Sequence, residues 1–195
     1  DVVDLGSGND AALGGAGTDT IRGGDGNDNI SGGENDDVLI GGLGNDTLAG
    51  LAGQDVIWGD AESILRSELL AALVRPPGNL DAPSIVPSML ITAAGLLLVT
   101  GTSADGADPL SGGSGTDWLF GGAGADALDG EAGTDFVHAG FGVDLASGGD
   151  DDDIVLGGDG DDTVHGNAGI DQVYGDDWFE SGAEHGDDTV FGDAG

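Results

Sequence analysis

Large aliphatic side chains return every ninth residue through the first sixty positions: Val3, Ile21, Ile30, Leu39, Leu48 and Ile57, with Ala12 as a smaller member. The beat resumes at Leu110 and continues through Leu119, Leu128, Val137, Ala146, Val155, Val164 and Val173, with a last one at Val190. Written in nines, Gly14–Trp58 reads GGAGTDTIR, GGDGNDNIS, GGENDDVLI, GGLGNDTLA, GLAGQDVIW. Each unit has a glycine-rich front half, Asp at its sixth place and an aliphatic residue at its eighth. A single unit cannot bury that one apolar side chain, so the period predicts stacked neighbours. The predicted elements are a turn over places one to six and a short strand over places seven to nine. Two units make one coil of eighteen residues, with strands stacking at about 4.8 Å. The expected fold is all-β: a parallel β-roll, that is, a β-solenoid of nine-residue repeats.

The polar positions are as regular as the apolar ones. Sixteen sixth places can be counted, and all sixteen are Asp, half of the 32 Asp in the chain. The fourth place is Gly in thirteen of fifteen units, and the two departures are Asn35 and Asp151. Asn and Asp are the non-glycine residues that best tolerate a left-handed backbone, so the departures obey the same constraint.

The phase breaks after Trp58-Gly59-Asp60 and again, more briefly, after Tyr174-Gly175-Asp176. Gly192-Asp193 follows Phe191 in the same way, so aromatic-Gly-Asp reads as the signal for leaving the array. The expected organisation is a first array over 1–60, a non-repeat insert over 61–102 and a second array over 103–175. A short loop over 176–182 and a continuation of the array over 183–195 follow. Within the insert, Ser63–Val74 has helical spacing, with a capping Ser63 and a stop at Pro76-Pro77. Leu96–Val99 is expected to be a strand. Residues 82–104 carry no charge over 23 residues, but Pro83, Pro87, Gly95 and six Ser or Thr argue against a membrane span. The chain opens and closes in mid-repeat, which is expected of an excerpt from a longer protein.

Charge changes the picture. Asp and Glu number 38 against three Arg, for a formal net charge of −35. Such an excess repels itself and excludes nucleic acid and anionic lipid as partners. It also favours an expanded chain unless cations are present. Cysteine is absent, so no disulfide is available and metal is the usual alternative staple.

The units resemble the RTX nonapeptide, G-G-x-G-x-D-x-U-x, of haemolysin-type calcium-binding proteins. The resemblance covers about three quarters of the chain. It implies Ca²⁺ held between turn n and turn n+2 by hard oxygen ligands, about six to eight of them at 2.3–2.6 Å. Mg²⁺, which demands a tighter octahedron, should compete poorly. In that family the ligands are carbonyls of places two and four with the Asp of one turn, and carbonyls of places one and three with the Asp of the turn two on. Carried over, one site is Gly15, Gly17 and Asp19 with Gly32, Glu34 and Asp37. Another is Gly113, Gly115 and Asp117 with Gly130 (in preference to Glu131), Ala132 and Asp135. The implied carboxylates are Asp10, Asp19, Asp28, Asp37, Asp46, Asp55, Asp108, Asp117, Asp126, Asp135, Asp144, Asp153, Asp162, Asp171 and Asp188. The implied glycines are Gly15, Gly17, Gly24, Gly26, Gly32, Gly41, Gly113, Gly115, Gly122, Gly124, Gly148 and Gly157. Taken array by array this gives roughly eleven ions and about +22 of charge to set against −35. Units with Leu51, Glu131 and Asn167 at the second place are expected to hold weaker sites. At the array ends, a sixth-place Asp is equally suited to cap its turn by an Asx hydrogen bond.

Sorting places seven and nine by parity separates two outward faces. One carries Trp118, Phe120, Phe136, Ile154, Leu156 and Tyr174, preceded by Val38, Ile40, Val56 and Trp58. The other carries Asn29, Ser31, Thr47, Ser111, Asp129, Ser147 and His165. A contiguous apolar stripe marks a covered or contacting surface. Either the insert folds over it, or another molecule does, which makes self-association or lateral packing a possible partner mode.

No catalytic constellation is present: there is no H-E-x-x-H, no Lys for Ser-x-x-Lys and no Cys, and the acidic runs lack the EF-hand ligand order. The expected function is non-enzymatic. It is a calcium-binding structural segment of a large secreted or cell-surface protein of adhesin, matrix, surface-layer or filament type. The alternative is the secretion and folding module of a type I-exported enzyme or toxin.

Overall fold

The computed structural model describes residues 1–60, 106–176 and 186–193. Among the described residues sixteen strands stack as two eight-stranded sheets in which every neighbouring pair is parallel and odd and even strands are segregated. One sheet runs β1 (Val2–Ser7), β3 (Thr20–Asp25), β5 (Val38–Leu43), β7 (Val56–Trp58), β9 (Trp118–Gly124), β11 (Phe136–Gly142), β13 (Ile154–Asp159), β15 (Gln172–Tyr174). The other runs β2 (Ala11–Ala16), β4 (Asn29–Glu34), β6 (Thr47–Ala52), β8 (Pro109–Ser114), β10 (Ala127–Ala132), β12 (Leu145–Asp150), β14 (Thr163–Ala168), β16 (Thr189–Phe191). This is the expected parallel β-roll, and among the described residues no helix is long and apolar enough to cross a membrane. The helix expected at 63–74 and the strand at 96–99 lie outside the described residues.

The strands are longer than the spacing suggested. Most run six residues, from the seventh place of one unit through the third place of the next, so that only places four to six make the turn. The front glycines therefore belong to the ladder: Gly6 pairs with Gly24, and Gly15 with Gly33. Glycine-rich sequence reads as turn, but parallel pairing on both sides satisfies those backbone groups as strand.

The eighth-place side chains of the inner coils point between the sheets. Ile21, Leu39, Ile57, Leu119, Val137 and Val155 form one wall, and Ile30, Leu48, Leu110, Leu128, Ala146 and Val164 the other; each is at most 2% exposed. One aliphatic residue per nine suffices because each is covered by the residues eighteen positions away and by the opposite wall. Burial of each Val, Leu or Ile contributes about 1.5–3 kcal/mol.

The outward faces differ as the parity of places seven and nine predicts. Trp58, Trp118, Phe120, Phe136, Ile154 and Leu156 form a second apolar cluster, all buried, against Val38, Ile40 and Val56. Phe120 stacks on Trp58 at 5.7 Å and lies 5.7 Å from Phe136. On the other sheet Leu13 and Leu145 are exposed. Most of the stripe is thus buried or half-buried within a single chain, whereas Tyr174 at its end is exposed.

Pairing runs through the first phase break. β6 pairs with β8, Leu48 opposite Leu110, and β7 pairs with β9, Ile57 opposite Leu119. The second break behaves alike, with Val164 of β14 opposite Val190 of β16. The sheets are therefore continuous across both.

Candidate metal centres

Left-handed backbone at the second and fourth places shapes most of the turns. Gly15 and Gly17 have φ of 104° and 105°, and the pattern recurs in the other coils. Where glycine is missing the backbone keeps the same hand: Asn35 (77°) and Asp151 (78°) at fourth places, Leu51 (83°), Glu131 (72°) and Asn167 (69°) at second places. The alternation of hand turns successive carbonyls to one side of the chain. A Cβ on Gly33 would strike the carbonyl oxygen of Gly15, and one on Gly26 that of Gly8, so these oxygens face the coil above. From that coil, oxygens face back. Gly32 O lies 2.5 Å from where a Cβ of Gly14 would sit, and Glu34 O accepts the Gly17 N–H at 3.1 Å.

Sixth-place carboxylates form two ladders along the edges of the roll. Asp1, Asp19, Asp37, Asp55, Asp117, Asp135, Asp153 and Asp171 make one; Asp10, Asp28, Asp46, Asp108, Asp126, Asp144, Asp162 and Asp188 make the other. At each rung Oδ1 accepts the backbone N–H of the Asp one coil earlier, as from Asp19 to Asp37 and from Asp117 to Asp135, both 2.8 Å. The second oxygen is different. Oδ2 of Asp19, Asp28, Asp37, Asp46, Asp55, Asp117, Asp135, Asp144, Asp153, Asp162 and Asp171 is buried with no hydrogen-bond donor. Beside it stands another acceptor: Asp19 Oδ2 and Gly32 O each lie 2.5 Å from the position of a Cβ on Gly14.

A buried carboxylate oxygen without a donor, set beside a carbonyl oxygen, is repelled by it and costly to desolvate. Burial accordingly pushes the carboxyls up, against the lowering effect of the accepted backbone N–H. Asp135 is raised to about 8, Asp55 and Asp153 to about 7, and Asp46, Asp117, Asp144 and Asp162 to about 6. Neighbouring carboxylates add to the rise, as Asp117 and Asp153 do for Asp135. A divalent cation removes all three penalties at once: it fills the coordination of Oδ2, neutralises the pair and replaces lost hydration.

The donor set fits Ca²⁺. It is made of backbone carbonyls and carboxylates, hard oxygens at a tight turn, without thiolate or imidazole. Among the described residues no three His, Cys, Asp or Glu side chains cluster, so any such site draws chiefly on carbonyls.

The structure brings the sequence-derived sets together. In the first, Gly15 and Gly17 face the coil that carries Gly32, Glu34 and Asp37, with Asp19 at the same edge. In the second, Gly130 O stands 2.8 Å from the Cβ position of Gly112, beside Asp117 Oδ2, and Ala132 O accepts the Gly115 N–H at 2.8 Å. Gly24, Gly26, Gly113, Gly122 and Gly124 adopt the left-handed second- or fourth-place backbone, whereas Gly41, Gly148 and Gly157 are first-place residues packed against Asp46, Asp153 and Asp162. End rungs are less enclosed: Asp10, Asp171 and Asp188 are half-buried.

Sequence reasoning missed the rungs that span the breaks. Asp46 donates its N–H to Asp108 Oδ1 at 2.6 Å, Asp55 to Asp117 at 2.7 Å and Asp162 to Asp188 at 3.1 Å. Gly59 packs against Asp108 Oδ2, and Gly175 against Asp188 Oδ2, as first-place glycines of unbroken units do against their own Asp. Counting in nines is blind to an excursion inside a unit. The available signal was the Gly-Asp of each aromatic-Gly-Asp exit.

Stacked parallel turns closing on rows of buried carboxylates define a calcium-binding β-roll. The model of the RTX calcium-binding nonapeptide repeat (4 copies) matches residues 4–39, 13–48, 31–62, 102–137 and 138–173, together about two thirds of the chain. The chain belongs to that family. No curated protein matches it.

Proposed function

We propose that this chain is a calcium-conditional structural segment of a secreted or cell-surface protein, unfolded where calcium is scarce and folded outside the cell. The observation that carries the reading is the row of buried carboxylate oxygens without donors. Such a row makes the roll unfavourable without cations and favourable with them, so folding follows metal availability. Extracellular modules bind Ca²⁺ at about 10⁻⁴–10⁻³ M, which places the switch at the cell boundary.

Eight rungs on each edge enclose seven gaps. If every gap is filled, the roll holds about fourteen ions rather than the roughly eleven obtained from separate arrays. Half-buried end rungs lower that number. About +28 of charge against −35 removes most of the self-repulsion. The chain supplies position and charge pairing and carries out no catalysis. A second reading, the secretion and folding module of an exported enzyme or toxin, rests on the same conditional folding.

The test is light-scattering mass with hydrodynamic radius, in chelator and then in about 10 mM calcium, some tenfold above the weakest expected affinity. A radius that falls at constant mass supports an independent folding module and favours the secretion reading. A mass that rises supports calcium-driven assembly through the strand faces and favours the surface or filament reading. No change in either would refute calcium-conditional folding.

A further inference from the structure

Seventh- and ninth-place side chains point away from the interior of the roll on both sheets, so each outward face serves as a control for the other. On the even sheet these places stay open to water: Leu13 is 72% and Leu145 49% exposed. On the odd sheet the equivalent side chains of the middle strands are closed off. Trp58, Trp118, Phe120, Phe136, Ile154 and Leu156 are only 2–7% exposed. Even Trp58 Nε1, a donor that water would satisfy on an open face, is buried without an acceptor. The closure is graded along the stack. Val2 and Asp4 of β1 are exposed, and Val38 and Ile40 of β5 are half-buried. From β7 to β13 the face is closed apart from half-buried Val56 and His138, and at β15 Gln172 and Tyr174 are exposed again. Among the described residues the odd strands pack on their sheet neighbours and, through the eighth places, on the even sheet; neither contact covers the outward side.

We propose that the outward face of β5 to β13 is the docking surface of the chain's own segment 61–105, which makes that excursion a second layer on the roll. Its position fits. The chain departs just after Gly59 and Asp60, whose N–H groups donate to Phe120 O and Gly121 O at 2.9 and 3.1 Å, so the exit lies on the odd sheet between β7 and β9. Those are closed strands, and burial falls away toward both ends of the stack. Its chemistry fits as well. Sixteen of the 45 residues in 61–105 are Leu, Ile, Val or Met, and 82–104 carries no charge. An apolar segment and an apolar face both shed water when they meet. The segment also brings Arg66 and Arg75, two of the three Arg in the chain, to a strongly acidic roll. Reach is ample: β5 to β13 span about 19 Å at about 4.8 Å per strand, a small part of the contour of 45 residues. Segment 177–185, which holds Trp178 and Phe179, is the rival within the chain, but it adjoins β15, where the face is open. A second copy is not required, because the closure is that of one chain.

The docking rests on the folding reading above in one respect: the face exists only once the coils have stacked. The experiment is photo-cross-linking of the full-length chain in about 10 mM calcium, followed by peptide mapping. The benzophenone amino acid p-benzoylphenylalanine replaces His138, which is half-buried on the face with its ring 6.3 Å from that of Phe120. In a control chain it replaces Leu145, at the open face of the even sheet. The expected product has the mass of one chain and links position 138 to peptides from 61–105, while the control gives no link to that segment. A product of twice the chain mass would make a second copy the occupant and overturn the proposal. So would a link to 177–185, links to neighbouring strands alone, or equal linking of 61–105 from both positions. A second measurement needs no change on the face. Trp178→Phe leaves Trp58 and Trp118 as the sole fluorophores of their kind, and in the calcium-loaded monomer both should resist acrylamide; quenching like that of free tryptophan would overturn the proposal. Should the position-138 chain fail to fold, the quenching decides. A parent chain that gains no β signal in calcium overturns the folding reading and the docking together, whereas a folded parent without the link overturns the docking only.

Discussion

Acidifying the metal-free chain should fold it. Asp135 shows the size of the effect. Its carboxyl has an ordinary value of 3.8 and is pushed up to about 8 in the folded roll, chiefly by burial. Below pH 3.8 the group is protonated in both states and has no effect on stability. As pH rises the unfolded chain ionises first, and the roll loses about 1.4 kcal/mol per pH unit until about pH 8, where the loss is complete. At pH 8 Asp135 alone therefore costs the metal-free roll about 5 kcal/mol, and at pH 5 about 2 kcal/mol. A domain holds together by only about 5–15 kcal/mol, and six further carboxylates are raised to about 6 or 7 with the same sign. The metal-free chain is thus expanded at pH 8 and gains β signal and compactness on titration to pH 5. The assay is far-UV circular dichroism with hydrodynamic radius on dialysed, metal-free protein. Asp135→Asn, which keeps an acceptor for the Asp117 N–H, should move the transition to higher pH. Asp25→Asn alters net charge equally but at an exposed third place, and should leave it where it was. A flat radius from pH 8 to pH 5, or equal shifts in the two variants, would refute burial as the cause.

Three further outcomes are expected. Leu51→Gly relieves a left-handed leucine worth about 1–2 kcal/mol, offset by about 0.5–1 kcal/mol of added chain entropy; the calcium-loaded chain should gain about 0.5–1 kcal/mol in urea unfolding. Gly14→Ala drives a methyl onto Asp19 Oδ2 and Gly32 O; it should destabilise the calcium-loaded roll by about 1–3 kcal/mol and raise the calcium midpoint in titration. Trp118→Ser with Phe136→Ser opens the outward stripe without touching the turns, so calcium stoichiometry should hold while binding of an apolar dye rises; loss of calcium-induced folding would instead make the stripe part of the core.

The sequence determined nearly everything that repeats. A nine-residue beat of Val, Leu and Ile with Asp two places earlier left one economical solution, a coil of two units with the aliphatics inside and the carboxylates at the edges. Asn35 and Asp151 even disclosed the hand of the backbone at the fourth place, because few residues other than glycine adopt it readily. Parity of places seven and nine likewise separated the buried Trp118–Phe120–Phe136 face from the exposed one. What periodicity could not carry was whatever depends on contact between distant parts of the chain. The front glycines became strand because parallel neighbours on both sides satisfied their backbone groups. Asp46 met Asp108, and Asp55 met Asp117, because β6 pairs with β8 and β7 with β9 across the break, even though β7 stops at Trp58 where other strands run on to the third place. The donorless Oδ2 oxygens exist only once the coils have stacked and excluded water. Local spacing fixes which residues are equivalent; tertiary packing decides which of them face each other, and therefore where a cation is needed.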